Sequence, residues 1–154
     1  MTLTRQRMEQ LIRNYYDGCN EADAGKMIAC FEPEAVHYFP AGSRQEKLAG
    51  AEAIAAGWQL AVERLGSQWT IDRLVLDEQA REATIEWTHW RTKAGTRLRG
   101  AELCRFSERA LIAEIRAYYA APAPDLDRSY ELGDFDYPGR RYPLEPPNPT
   151  RAAS

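Results

Sequence analysis

The sequence predicts an α+β fold in which a curved antiparallel sheet wraps around helices and encloses a pocket. Two observations predict this fold. Apolar residues before Gly66 recur mainly at helical spacings, and from Ser67 onward they alternate with polar residues. A chain of 154 residues fits one domain with one core. Two helices, a strand, a helix and four strands would leave a concave sheet face that must be filled or form a cavity.

The N-terminal half is predicted to contain three helices and one strand. The first helix, over residues 4–18, has its apolar face at Met8, Leu11, Ile12, Tyr15 and Tyr16. Asp23 is a good N-cap for a short second helix, and "EPEAVHYF" then alternates as a strand that Pro40 ends. Gly66 ends a third helix, whose apolar face is formed by Ile54, Trp58, Ala61, Val62 and Leu65.

The second half is predicted to form an antiparallel meander of four strands. Short polar or Gly-containing turns separate the alternating segments "QWTIDRLVLDE", "REATIEWTHWRTK", "TRLRGAELCRFSE" and "ALIAEIRAYYA". Residues 1–121 are therefore expected to form the domain.

Residues 122–154 form a proline-rich C-terminal arm, because they hold seven of the nine prolines and no sustained apolar period. Four aromatic residues argue against a fully solvated tail. We expect the arm to pack on its own subunit or on a partner through Tyr130, Phe135, Tyr137 and Tyr142.

Composition excludes several classes of partner. A net charge of −3 without any run of basic residues argues against binding to nucleic acid or to an anionic membrane. No segment is long and apolar enough for a membrane span or a signal peptide, so a cytoplasmic location is expected. The spacing of Cys19, Cys30 and Cys104 favours buried thiols rather than disulfides or a zinc site.

Three polar residues fall on apolar strand faces. Alternation places Glu102 on the same face as Leu98, Gly100, Cys104 and Phe106. His89 shares a face with Ile85 and Trp87, and His37 shares one with Ala35 and Phe39. A carboxylate in a core is unfavourable unless it is paired, so Glu102 is expected either to face a pocket or to pair with a buried Arg or His.

The combination of "YYDGCNEADAGKMIACFEPEAVHYF", a long helix, "RGAELCRF" and "LIAEIRAYY" resembles the NTF2-like superfamily, in particular its SnoaL-like and ketosteroid-isomerase-like branch. The resemblance implies a cone-shaped domain. It also implies an oxyanion hole made by Tyr15 of helix one and by Glu102 at the position of a protonated aspartate. The general-base aspartate of those isomerases falls on Phe39, which argues against steroid-type isomerisation.

The resemblance extends to scytalone-dehydratase-like members, which use pocket histidines with a tyrosine and an aspartate. His89 could match one such histidine. The aspartate expected near the end of helix one has no clear counterpart, since Asn20 lies closest and Asp17 is the other local candidate.

The catalytic candidates are therefore His89, His37, Glu102 and Tyr15. The ligand-binding candidates are Phe39, Trp58, Trp69, Trp87, Cys104 and Tyr119. No metal and no cofactor is expected, because HxH and HxxxE spacings and Gly-rich phosphate loops do not occur.

Two functions remain open. One is a cofactor-independent isomerase, dehydratase or cyclase acting by proton transfer on a cyclic or polyketide-like substrate. The other is a non-catalytic protein that binds a small apolar or aromatic ligand. A homodimer through the sheet is expected because Trp90, Leu103 and Tyr118 fall on the outer face.

Overall fold

A computed structural model describes residues 3–43, 45–119, 133–136 and 138–141. Its helices are α1 (Arg5–Glu21), α2 (Ala24–Ile28) and α3 (Ala51–Leu65), with a 3₁₀ turn at Thr92–Ala94. Its strands are β1 (Phe31–Tyr38), β2 (Lys47–Ala49), β3 (Ser67–Asp77), β4 (Glu82–Arg91), β5 (Thr96–Phe106) and β6 (Ile112–Tyr119). In this part of the chain no helix is long and apolar enough to cross a membrane.

The strands form one six-stranded sheet in the order β2-β1-β6-β5-β4-β3. The predicted antiparallel meander from β3 to β6 is confirmed. Two features of the sheet were not predicted. One is the short strand β2, which pairs with β1. The other is the position of β1, which runs parallel to β6 along the free edge of the meander. Register shifts in β1, β3 and β6 bend the sheet, because a bulge increases the local twist of its strand.

The helices cover the concave face of this sheet. Thr4 and Asp23 cap α1 and α2 by accepting hydrogen bonds from backbone N–H groups, and Gly66 ends α3 in the left-handed conformation. The predicted apolar face of α1 is fully buried.

The predicted face of α3 is only partly core. Its first half is buried at Ala51, Ile54 and Ala55, whereas Leu65 near its C-terminus is exposed. Ala61 and Leu65 lie along a cavity instead of packing against the sheet. A helix that packs at one end and stands off at the other leaves space between itself and the sheet.

The outer face of the sheet carries an ion-pair cluster. Buried Glu114 lies 3.6 Å from Arg116 and 3.9 Å from Arg105. Trp90 and Tyr118 are more than one-third exposed on this face, while Leu103, expected to be exposed, is half-buried between its neighbours. All three cysteines are buried free thiols, as predicted.

Two short pieces of the C-terminal arm pack on the domain of their own chain. Phe135 is buried with its ring edge-to-face on Tyr38, at 5.3 Å between centroids. Arg140 donates two hydrogen bonds to Glu114, at 2.9 and 2.5 Å. The packing of Phe135 is thus confirmed, whereas Tyr130, Tyr137 and Tyr142 lie outside the described residues.

Candidate active site

A cavity of about 560 Å³ lies between α1, α3 and the concave face of the sheet. Its size fits a small ligand of a few fused or linked rings. Nine of the ten residues predicted to form a site line it: Tyr15, His37, Phe39, Trp58, Trp69, Trp87, His89, Glu102 and Tyr119.

Cys104, also predicted to bind a ligand, is the exception. It lies on the same face of β5 as Glu102 but has no exposed surface and does not line the cavity. Alternation gives the face of a strand correctly, but it does not give the depth at which packing closes the pocket.

Glu102 projects from β5 into the cavity and is 4% exposed. The Tyr16 hydroxyl donates a 3.0 Å hydrogen bond to its Oε1. Burial raises the pKa of Glu102 to about 7, and the Tyr16 hydrogen bond acts in the opposite direction. The Trp87 indole N–H also lowers this pKa, although it makes no hydrogen bond of normal geometry. At neutral pH this carboxyl can both give and take a proton.

His37 projects from β1 beside the carboxyl. Its Nε2 lies 3.8 Å from Glu102 Oε2, too far for a hydrogen bond, and neither ring nitrogen has a partner of normal hydrogen-bond geometry among the described residues. Burial lowers the pKa of His37 to about 3, so the ring is neutral near pH 7. Orphaned polar atoms in a buried site are unfavourable, and a ligand oxygen between the two groups would satisfy both.

Tyr15 lies one residue before Tyr16 on α1, and its hydroxyl group has a different hydrogen-bond partner. Its Oη accepts a 2.8 Å hydrogen bond from Trp58 Nε1 of α3, so its own hydrogen can be donated either to a ligand or to the neighbouring Cys19 sulfur. Burial raises the pKa of Tyr15 well above its usual value. The phenol therefore remains a donor at every physiological pH.

His89 of β4 is held in one tautomer. Ser67 Oγ donates to the Ala61 carbonyl oxygen at 3.0 Å, and His89 Nε2 lies 2.7 Å from the same hydroxyl. Since a hydroxyl has one hydrogen, both bonds form only when Nε2 carries the imidazole hydrogen and Nδ1 carries the lone pair. Burial, with a smaller effect of Arg91, lowers the pKa of His89 to about 4.

A row of aromatic rings joins the two histidines along the cavity wall. His37 stacks on Phe39 at 4.3 Å, and His89 stacks on Trp69 at 4.7 Å. Trp58 stands edge-to-face between them, 5.3 Å from His37 and 5.3 Å from Trp69. Such walls suit a flat apolar or aromatic body.

Trp87 closes the wall next to Glu102, and a glycine makes room for it. Trp87 pairs with Gly100 in the β4–β5 register. A Cβ at Gly100 would lie 2.6 Å from the indole ring and 2.6 Å from the Tyr118 carbonyl oxygen. Only glycine therefore fits beneath this ring without displacement.

Comparison with known proteins assigns the architecture. A family model described as "SnoaL-like domain" matches residues 12–115, which is most of the chain. The chain belongs to the SnoaL-like domain family. No curated protein matches it.

Solved structures agree with this SnoaL-like assignment. A protein of unknown function with a cystatin-like fold from Methylobium petroleophilum PM1 is 57% identical, with a TM-score of 0.91, over 96% of this chain and 97% of that chain. An NTF2-like protein of unknown function from Mesorhizobium loti is 20% identical, with a TM-score of 0.63, over 75% of this chain and 93% of that one.

One solved structure of lower sequence identity is named as an enzyme. The epoxide hydrolase/cyclase-like enzyme SalBIII, described in pyran ring formation in the polyether salinomycin, is 14% identical with a TM-score of 0.63, over 77% of this chain and 94% of that chain. At this identity the likeness is one of fold. The predicted NTF2-like, SnoaL-like architecture is confirmed.

The SnoaL-like chain departs from the expected catalytic sets at α1 and β1. Asn20 is used structurally, because its side chain exchanges two hydrogen bonds with the Trp69 backbone, at 2.9 and 2.7 Å. Asp17 is exposed and does not line the cavity. Phe39, at the place of the isomerase base, contributes a stacking ring. No three His, Cys, Asp or Glu side chains among the described residues converge on a metal-binding arrangement.

Thirteen residues lining the cavity of this SnoaL-like domain were not among the predicted site residues, and three of them matter for its chemistry. Tyr16, not Tyr15, is the tyrosine bonded to Glu102, and only the register of α1 against β5 decides between them. Arg91 continues the inward face of Trp87 and His89, so alternation could have found it. Arg64 lies near the end of α3, and no sequence pattern indicated that it lines the cavity.

Proposed function

We propose that this SnoaL-like protein is a cofactor-independent enzyme that transfers a proton at a carbon next to a carbonyl group of a cyclic or polyketide-like substrate. One observation carries the proposal: the buried Glu102 carboxyl, whose pKa is about 7, faces an open cavity beside His37, whose ring nitrogens have no hydrogen bond of normal geometry to any described residue. A proton-transferring group works best when its pKa is near the working pH.

The roles differ from those that the resemblance implies. Both histidines have pKa values lowered by burial, to about 3 and about 4, which makes them weak bases at neutral pH. Glu102 is therefore the proposed acid and base. As a carboxylate it takes a proton from carbon, and as a carboxylic acid it returns that proton to a second carbon or to a leaving hydroxyl.

The electron pair left by the abstracted proton moves onto the carbonyl oxygen, which needs a hydrogen-bond donor. Tyr15 is the proposed donor, because Trp58 already donates to its oxygen and a phenol that accepts a hydrogen bond donates more strongly. Tyr16 holds Glu102 in position through Oε1 and leaves Oε2 toward the cavity.

A non-catalytic ligand-binding protein is the second candidate. Phe39 in place of the isomerase base and the row of rings along the wall favour it. The same scaffold hosts both kinds of protein, so the site must decide.

Hydrogen exchange into a model ketone separates the two candidates. β-Tetralone fits an aromatic-walled pocket and exchanges its α-hydrogens for deuterium in heavy water, which proton NMR follows directly. We expect wild-type protein to accelerate exchange at least tenfold more than Glu102→Gln, which keeps the side-chain shape but removes the titrating group. Glu114→Gln, on the outer face of the sheet, is the matched control and should retain wild-type exchange.

Binding of β-tetralone is measured in parallel by quenching of tryptophan fluorescence. Binding with equal exchange rates in wild type and Glu102→Gln would establish a binding protein and reject the catalytic proposal.

A further inference from the structure

Two arginines lie along the cavity at the end where α3 joins β3. Arg91 follows His89 by two residues on the inward face of β4 and pairs with Ser67 in the β3–β4 register. Arg64 lies three residues before Ser67, in the last turn of α3. Both guanidinium groups therefore belong to the same end of the cavity.

Neither arginine has an acidic partner among the described residues. By contrast, two arginines on the outer face of the sheet have acidic partners: Arg99 lies 3.6 Å from Asp72, and Arg116 lies 3.4 Å from Glu82. No ion pair or hydrogen bond forms on the guanidinium group of Arg64 or Arg91 within that part of the chain, and the buried Nε of Arg91 lacks a partner there. Arg91 is half-buried, and a half-buried cation without a counter-charge is unfavourable unless a ligand supplies the charge, whereas Arg64 at the rim is exposed.

The single acid that lines the cavity within the described residues lies far from these cations. Glu102 is six residues along β5 from Thr96, the register partner of Arg91. At about 3.3 Å of rise per residue, the two levels are roughly 20 Å apart along the strands. Long arginine side chains and the bend of the sheet shorten that span.

Tyr119 lies between the two ends. The charge of Glu102 raises its pKa, and the charge of Arg91 acts in the opposite direction, although burial has the larger effect. The cavity thus runs from the buried Glu102 carboxyl and two tyrosines, past aromatic walls, to an end where two arginines have no acidic partner among the described residues.

Resting on the proposed function, we infer that the substrate carries a carboxylate at the end opposite its reacting carbonyl, and that Arg64 and Arg91 bind it. A guanidinium matches a carboxylate in shape as well as in charge, since its N–H groups form two parallel hydrogen bonds. The two-ended cavity then fixes which carbon of the substrate lies against Glu102. Arg64 and Arg91 would act as specificity-determining residues without a part in the proton transfer.

The test uses three related probes, each with a two-ring aromatic body. They are phenylphenol, a hydroxybiphenyl carboxylate with its two polar groups at opposite ends, and the methyl ester of that acid. Dissociation constants are measured by calorimetry and by quenching of tryptophan fluorescence, at fixed salt and about pH 8. The proteins are wild type, an Arg64→Gln/Arg91→Gln double variant, and Arg97→Gln, which removes a charge from the outer face over Trp90.

We expect wild type to bind the carboxylate at least tenfold more tightly than its methyl ester. In the double variant this ratio should fall below about threefold, while the affinity for phenylphenol stays within twofold of wild type. Arg97→Gln should keep the wild-type ratio. Arg64 is exposed, so Arg64→Gln alone serves as a second variant if the double variant folds poorly, and it should reduce the ratio at least twofold.

Equal affinities for the acid and the ester in wild type would overturn the inference, as would an undiminished ratio in the variants. Either result leaves the proposed function standing if phenylphenol binds and β-tetralone exchange depends on Glu102. Failure of all three probes to bind would overturn the inference together with the aromatic-ligand pocket on which it depends.

Discussion

Replacing Glu102 by glutamine should make the protein more stable at alkaline pH. The folded-state pKa of Glu102 is about 7, against 4.5 for the free side chain, because burial disfavours the carboxylate. Between these two pH values the folded state holds a proton that the unfolded state has released. Stability therefore falls as pH rises through this window, and above pH 7 the full difference is lost.

The size of the effect follows from the shift. A difference of roughly two and a half pH units at 1.36 kcal/mol each gives about 3 kcal/mol as an upper value. A glutamine at this position would carry no charge to bury and would keep an oxygen for the Tyr16 hydroxyl. We expect Glu102→Gln to gain up to about 3 kcal/mol at pH 8 and almost nothing at pH 4.

Urea unfolding followed by tryptophan fluorescence at pH 8, 6 and 4 measures this difference. Glu114→Gln is the control, because Glu114 is equally buried but is paired with Arg140 and Arg116. That variant should lose about 1–3 kcal/mol at pH 8. The low pKa of His37 makes both proteins less stable in acid, and this contribution largely cancels in the comparison.

A Glu102→Gln protein that is less stable than wild type at pH 8 would refute the reasoning. So would a gain that is the same at every pH, since it would arise from packing and not from titration. The expected pattern is that of a site that retains an unfavourable group for the sake of its chemistry.

Four further results are expected. The chain has only two histidines, and NMR titration should find both His37 and His89 neutral from pH 8 down to 5.5, since burial lowers both pKa values; a midpoint near 6.5 would contradict the described packing. Gly100→Ala should cost about 1–3 kcal/mol in urea unfolding because its Cβ would overlap an indole ring, and an unaltered midpoint would count against that contact. Phe135→Ala should lower the melting temperature by several degrees, and no change would mean that its burial contributes little. Sedimentation should show a homodimer that an outer-face Trp90→Glu change dissociates; a wild-type monomer at micromolar concentration would reject the dimer.

The fold was predictable because its elements are strongly periodic. Alternation placed Glu102, His89 and Trp87 on one concave face, and all three line the cavity. The parallel pairing of β1 with β6 was not predictable, because it joins residues about 80 positions apart and leaves no periodic trace in either strand. The depth of Cys104 was missed for a similar reason, since it depends on where neighbouring side chains close the pocket.

Protonation states and individual partners lay further beyond the sequence. Helical spacing places Tyr15 and Tyr16 on the same broad apolar face, and only the packing of α1 against β5 assigns Glu102 to Tyr16 and Trp58 to Tyr15. Both histidines were catalytic candidates on sequence grounds, but burial lowers both imidazole pKa values and makes them weak bases at neutral pH.

The parallel pairing of β1 with β6 has a consequence for how the protein is made. Phe31 pairs with Ile112, so β1 waits for about 80 residues of further synthesis before its partner strand exists. At roughly 5–20 residues per second, this interval lasts on the order of 4–16 seconds. During it, the strand that carries His37 has one edge covered at most, by β2, and an open edge can pair with other chains. Nascent chains that stall before Ile112 should therefore be the aggregation-prone species. Chaperones that shield strand edges during synthesis should raise the yield of this protein more than chaperones that act after its release from the ribosome.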